Sequence, residues 1–535
     1  MIARPVRLFA SFATVGAWTM ASRVLGFLRD ILIAATLGAG AVAEAFFVAF
    51  TLPNMFRRLF AEGAFNTAFV PLFAKRLETF GPEMARRFAE DAMGGLTAVL
   101  VGLVLVASLA MPLLVLGLAS GFTGDVRFDL AVGFGRIVFV YVLFISLAAL
   151  ISGALNSLGR FAAAAAAPVL LNIVLIAALL LAESRGAEGW VLLTLPGGAR
   201  PEGLHAGTML SFGVVLAGVA QLVLVWVAAA RAGMPLRLTW PRLTPGVRRL
   251  AIVALPAALA AGVMQVNLVI GRQVASYFDG AVAWLWLADR VYQLPLGVVG
   301  TAIGVVLLPE LARRVRGGDP LGARQAVNRA AEFALMLTLP ATLALLAIPG
   351  LIVAVLFERG AFTSADSAAT AQALALYALG LPAFVLQKIV QPVYFAREDT
   401  ATPLRFALWA MGVNAAVAIA CAPVIGYLAA PLATTLAAWA NLWLLWRGAA
   451  AVGADLTPDG RLADRLPRIA AASLAMGALL LGAAWLAGPL EPFWRAGLLA
   501  ALVLAGASGY FALAVGIRAL DASELRAAFR RRGRS

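Results

Sequence analysis

Runs of roughly twenty or more apolar residues recur from near residue 8 to near residue 517, separated by short polar segments. At about 1.5 Å per residue, each run can cross roughly 30 Å of hydrocarbon as a helix. The pattern predicts fourteen spans, centred on residues 8–36, 41–73, 91–118, 131–156, 164–183, 206–231, 247–278, 281–312, 332–356, 367–390, 403–424, 426–446, 467–487 and 494–517. The two-residue alternation of a membrane barrel strand is absent, so the expected fold is a helical bundle. Arg23 and Arg29 interrupt the first run, which passes almost directly into the second, and it reads as a retained span rather than a leader.

Composition agrees: 62% of the 535 residues are hydrophobic and 13% charged, with a mean hydropathy of +0.93. Such a chain is an all-α polytopic membrane protein. Lys75, Arg76, Arg86, Arg87, Arg160, Arg231, Arg237, Arg242, Arg248, Arg249, Arg313, Arg314, Arg324 and the closing arginine run fall on one side of this topology. The other side carries only Arg127, Arg185, Arg200, Arg359 and Arg495. Both termini are therefore expected to be cytoplasmic. The formal charge of +15 sits in these short loops and the tail, where it orients the protein and meets anionic membrane lipids. No module remains that could fold on nucleic acid.

The chemistry of catalysis is missing. No phosphate-binding GxxxxGK[ST] loop, HExxH pair or metal-spaced cluster occurs, so neither an enzyme nor a metal site is expected. Cys421 lies alone in an apolar span, which excludes a disulfide, and His205 reads as a surface residue at a loop edge. With no cofactor, work must draw on an ion gradient, the membrane potential or the substrate's own gradient.

An internal repeat organises the chain. GAVAEAF at 40–46 answers GAVAWLW at 280–286, Val70-Pro71-Leu72 answers Leu308-Pro309-Glu310, Ala110-Met111-Pro112 answers Ala347-Ile348-Pro349, and Asn172 answers Asn414, all at offsets of 237 to 242. A period of six helices gives two copies of the same orientation. The expected domains are a six-helix lobe over 1–235, a second over 236–450, and a further helix pair with a basic tail over 451–535.

Charges inside the early spans are the candidate site. A charge near the bilayer centre costs about 2.5 kcal/mol to more than 10 kcal/mol depending on the scale, so such groups are retained for a reason. Arg23 lies about 22 Å into the first span and Arg29 about 9 Å further. Asp30 follows Arg23 by two turns and shares its face. In the second span Pro53 removes a backbone donor beside Asn54, giving a candidate hinge just before Arg57 and Arg58. Glu44 and Glu62 are placed to pair with arginines during gating. Arg290 lies mid-depth in the eighth span, whereas Arg136, Arg272 and Lys388 lie nearer span ends, where snorkelling accounts for them. A guanidinium meets phosphate oxygens bidentately and stays charged, so converging arginines suit a diphosphate. The bland reading is a helix-packing network with Asp30, Glu44, Glu62 and Asp289.

Ser22-Arg23-Val24-Leu25-Gly26-Phe27-Leu28-Arg29-Asp30, Ala45-Phe46-Phe47-Val48-Ala49-Phe50, Leu52-Pro53-Asn54 and Arg57-Arg58-Leu59-Phe60-Ala61-Glu62-Gly63 resemble the MurJ (MviN) family. So do Ala288-Asp289-Arg290, Leu356-Phe357-Glu358-Arg359-Gly360 and Tyr394-Phe395-Ala396-Arg397-Glu398-Asp399. Members flip lipid II, the undecaprenyl-diphosphate-linked peptidoglycan precursor, across the bacterial inner membrane. The resemblance implies the multidrug/oligosaccharidyl-lipid/polysaccharide exporter fold, alternating access, and cavity arginines at Arg23, Arg29, Arg57 and Arg290. It implies a lipid-tail groove in the last pair, and Glu44 stands where relatives are expected to carry Asp. A flippase for another undecaprenyl-linked oligosaccharide and a non-transporting scaffold for cell wall synthases are the alternatives.

Overall fold

The computed structural model describes residues 5–57, 64–184, 201–488 and 491–521, the side chains of 5–13, 64–67, 255–268 and 298–306 excepted. Among the described residues there are helices and no strands. They are α1 (Pro5–Leu37), α2 (Ala41–Arg57), α3 (Ala64–Leu109), α4 (Met111–Leu118), α5 (Val126–Phe139), α6 (Tyr141–Ser157), α7 (Ala162–Ser184), α8 (Leu204–Arg231) and α9 (Pro245–Ala275). After these come α10 (Ala281–Arg316), α11 (Pro320–Ala347), α12 (Pro349–Phe357), α13 (Ser364–Phe395), α14 (Ala401–Ile425), α15 (Ala429–Gly448), α16 (Gly460–Ala487) and α17 (Pro492–Gly516). Nine helical stretches among the described residues are long and apolar enough to cross a membrane, against fourteen spans expected from sequence.

Breaks within apolar runs explain why helices and predicted spans do not correspond one to one. The third span is the later limb of α3 followed by α4, parted at Ala110 ahead of Pro112. The ninth is α11 followed by α12, parted at Ile348 ahead of Pro349. Proline has no N–H to donate and disfavours helix in the residue before it, while an apolar run carries no sign of the break. α3 itself bends at Gly81, where φ is 83° and ψ is 176°, ahead of Pro82. The repeat shows in the helix starts: Ala41 and Ala281, Met111 and Pro349, Ala162 and Ala401 keep the spacing read in the sequence.

Two compact units form. The first is Met1–Ala283 with Arg359–Phe362, the second Trp284–Glu358 with Thr363–Ser535. In the first, Phe46, Phe47, Phe69, Phe134, Phe139 and Tyr141 are fully buried. Polar atoms inside an apolar bundle need partners. Tyr141 donates to Gln221 Oε1 at 3.1 Å, and Gln221 Nε2 donates to the Ala167 carbonyl at 2.9 Å. In the second unit, Gln387 Nε2 donates to the Ala438 carbonyl at 2.7 Å, and Gln387 Oε1 accepts from Asn441 Nδ2 at 3.0 Å.

The C-terminal pair packs on α11 through Met336, Ile469, Ala472, Met476, Leu480 and Leu502. Tyr510 donates to the Met336 carbonyl at 2.7 Å. One turn before Met336, Glu332 accepts from Arg461 at 3.1 Å and Arg465 at 2.6 Å, and also from Arg329. Asp459 caps α16 by accepting from Leu462 N at 2.8 Å, and it takes a second bond from Arg329.

The turn after α1 needs glycine. Gly38 has φ of +60°, and a Cβ there would stand 2.5 Å from the Ala361 carbonyl oxygen. Gly360 has φ of +58°, and its Cβ would stand 2.2 Å from the Ala35 carbonyl oxygen. Between them Ala361 N donates to that Ala35 oxygen at 2.8 Å.

Candidate functional site

α1 is the span the sequence marked by its internal charges, and its polar groups cluster late in the helix. Arg29 is only 5% exposed and Asp30 1%. The Arg29 side chain folds back on its neighbour: Nε and Nη2 donate to Asp30 Oδ1 at 3.0 and 2.7 Å. Its Nη1 donates to Asn172 Oδ1 of α7 at 2.9 Å. Asn172 in turn donates to the Ser22 carbonyl at 2.9 Å, tying α7 to α1 one turn before Gly26. The guanidinium also lies 5.9 Å from the Phe50 ring centre.

The carboxylate that the heptad spacing placed on the face of Arg23 is thus committed to Arg29. Arg23 is exposed, with no hydrogen bond or ion pair among the described residues. Arg57 is half-buried at the end of α2, and Arg58 and Glu62 lie outside the described residues. α2 stays helical through Pro53 to Arg57, and Asn54 Nδ2 donates to the Phe50 carbonyl at 2.8 Å. Arg290, in the second unit, holds its guanidinium 4.8 Å from the Trp286 ring centre, a cation–π distance.

A second ionic cluster closes the α1–α2 end. Glu44, 1% exposed, accepts from Arg127 Nη1 at 3.1 Å with one oxygen and from Val282 N at 3.0 Å with the other. Arg127 also pairs with Asp125 at 2.8 Å and with Asp279 at 2.8 Å, while its guanidinium stacks 4.7 Å from Phe122. The buried arginine is held by three carboxylates and an aromatic face. In the sequence Arg127 stands only as a loop charge. The available signal was the pair Asp125 and Arg127 at the start of an apolar helix, where Asp125 caps Arg127 N at 3.0 Å.

His205 is corrected by the structure: it is 9% exposed rather than a surface residue. It occupies the first turn of α8, which packs closely on α2 and α5. A Cβ on the neighbouring Gly207 would meet Val42 at 2.5 Å and Phe134 at 2.8 Å. No group of three metal-ligating side chains occurs among the described residues.

Residues 33–493 match the family model "Lipid II flippase MurJ". A Rhizobium meliloti (strain 1021) protein named "Probable lipid II flippase MurJ" is 46% identical, over 98% of this chain and 96% of its own. A Burkholderia cenocepacia protein named "Lipid II flippase MurJ" is 32% identical, over 95% of this chain and 97% of its own. In fold, the chain is similar to a solved structure described as "Lipid II flippase MurJ, inward closed conformation", with a TM-score of 0.76 at 22% identity over 94% of this chain and 98% of that one. An inward-facing multidrug resistance MATE family transporter of the MOP superfamily matches with a TM-score of 0.59 at 15% identity, over 81% and 95% of the two chains.

Proposed function

The chain belongs to the MurJ family of lipid II flippases, and from that premise we propose that it carries lipid II from the cytoplasmic to the outer leaflet of the bacterial inner membrane for peptidoglycan synthesis. Whole-length identity to relatives named as lipid II flippases carries this reading. Such movement is transport rather than catalysis, since a diphosphate and sugar-peptide headgroup must pass the hydrocarbon while the polyprenyl tail stays in it.

Arginine side chains supply the chemistry. Arg29 has three N–H groups engaged by Asp30 and Asn172. An arriving phosphate oxygen offers a stronger acceptor than the amide and competes with Asp30 for the rest. Arg23, Arg57 and Arg290 are the further headgroup ligands. Asp30 and Glu44 exchange ion pairs as access alternates between the two sides, with Arg58 and Glu62 in the same role and Pro53 and Asn54 as the hinge. No cofactor is used, and the cycle runs on an ion gradient or the membrane potential. Both termini face the cytoplasm, where the basic loops meet anionic lipids and the protein works beside cell wall synthases.

The test is depletion in the host, complemented by wild type or by Arg23, Arg29, Arg57 or Arg290 replaced singly with Gln, while lipid II exposed on the outer leaflet is measured. Wild type is expected to restore exposure, and each variant to fail at normal membrane levels. Exposure that never depended on the protein would overturn the substrate assignment. Full restoration by all four variants would overturn the site.

A further inference from the structure

Between α8 and α9 the chain leaves helix, and its two sides differ in chemistry. Met234 and Leu236 face inward and are buried. The segment is pinned along this side: Trp226 Nε1 donates to the Leu236 carbonyl at 3.0 Å, Arg237 N donates to Glu90 Oε1 at 3.0 Å, and Thr239 Oγ1 donates to the Glu90 carbonyl at 3.0 Å. Contact with α3 is close, since a Cβ on Gly94 would stand 2.5 Å from the Thr239 carbonyl oxygen. Thr244 then caps α9 through Val247 N at 3.4 Å.

The outward side carries large apolar groups with nothing over them. Trp240 is 86% exposed, Leu243 81% and Leu238 55%. Around them, from Arg231 to Arg249, the sequence has five arginines and no carboxylate. Arg237, Arg242, Arg248 and Arg249 are all exposed. α8 is apolar enough to span the membrane and ends at Arg231. A segment leaving a span at this point lies where hydrocarbon gives way to headgroups, and its arginine excess places it on the cytoplasmic side.

We propose that residues 232–249 form a membrane-surface anchor for anionic phospholipid headgroups. Trp240 and Leu243 enter the headgroup layer, and Arg237, Arg242, Arg248 and Arg249 meet lipid phosphates. Three features single out this occupant. An indole with one apolar body and one N–H is favoured where apolar and wet regions meet. A basic cluster free of acids is attracted to an anionic leaflet. The backbone is fixed by Glu90 and Trp226, so the outward row is presented without an ordering cost at binding.

The full chain is placed in nanodiscs of phosphatidylcholine alone or mixed with phosphatidylglycerol, with lipid brominated near the headgroup. Because the chain has twelve tryptophans, the Trp240 signal is read as wild type minus Trp240→Phe. The difference emission is expected to be quenched by brominated lipid and shielded from aqueous acrylamide, more strongly with phosphatidylglycerol. A variant with Arg237, Arg242, Arg248 and Arg249 all changed to Gln is expected to lose that dependence and to retain fewer phosphatidylglycerol molecules in native mass spectrometry. A Trp240 signal open to acrylamide and untouched by brominated lipid overturns the anchor and leaves the surface to a protein partner or to water. Equal quenching in both lipids, unaffected by the arginine variant, overturns the anionic preference. No lipid II enters these measurements, so their outcome is separate from that of the transport reading.

Discussion

Arg29 and Asp30 form a pair whose side chains are 6% and 2% exposed, and a double-mutant cycle separates its structural from its functional role. Arg29→Met alone removes the guanidinium from which Asp30 accepts, and Asp30→Asn alone removes the carboxylate to which Arg29 donates. Either should destabilise by about 3–5 kcal/mol, the usual result of removing one member of a buried pair. The double variant removes both charges of the pair and should regain part of that loss, and the departure from additivity measures their coupling. Asn172→Ala removes the remaining acceptor of Arg29 and should cost about 1.5–3 kcal/mol, as for a hydrogen bond to a charged group. Thermal unfolding in detergent gives the stability arm, and lipid II exposure in depleted cells gives the transport arm. The expected double variant is stable and inactive. Full transport by a stable double variant would refute the headgroup role of Arg29, and single variants that melt like wild type would refute the burial argument itself.

Gly360→Ala combines a left-handed backbone with a Cβ 2.2 Å from the Ala35 oxygen; its melting point should fall well below that of Gly124→Ala, which has φ of +82° and open space and bears only a backbone penalty of about 1–2 kcal/mol. Glu44→Ala leaves Val282 N without its buried acceptor and should lower stability by about 1–3 kcal/mol in the same melts. Glu44→Asp, too short to reach both Arg127 and Val282, should fall between that variant and wild type. Burial alone would raise the Asp459 pKa, but the backbone donor Leu462 N and then Arg329 outweigh it and hold the carboxyl below its ordinary value. A depressed folded-state pKa contributes stability that is present above the unfolded value and lost as pH falls through the folded one. Melting points of wild type should therefore drop faster than those of Asp459→Asn on acidification below about pH 4, and parallel curves would exclude the linkage.

Fold class and the buried charges of Arg29 and Asp30 were legible because both depend on local composition: a charge inside an apolar run stands out whatever it touches. Partners were not. The spacing of Arg23 and Asp30 is right for one helix face, yet a long arginine side chain can fold back onto its immediate neighbour, and Asn172 lies too far along the chain for any periodicity to assign it. Arg127 looked like a loop charge because its partners Glu44 and Asp279 lie on distant segments. His205 was misplaced because the first turn of α8 is covered by packing, a property its own neighbourhood in sequence does not encode. The repeat was readable from a few matches because helix starts and prolines recur with it, whereas the breaks at Ala110 and Ile348 were hidden within unbroken apolar runs.

The clasp between Ala35 and Ala361 also bears on how the chain is made. α1 and its turn emerge from the ribosome early, but the N–H that accompanies Gly360 against them belongs to a segment translated after most of the chain. Until then the Ala35 carbonyl lacks that native partner, and the corner formed by α1 and α2 must be held by other means, water or the insertion machinery among them. The first unit is therefore not finished when its continuous stretch to Ala283 has been synthesised. The contact is long-range, of the kind whose formation slows folding, and nascent chains stopped short of Arg359 should be more open to proteolysis at the α1–α2 turn than complete ones.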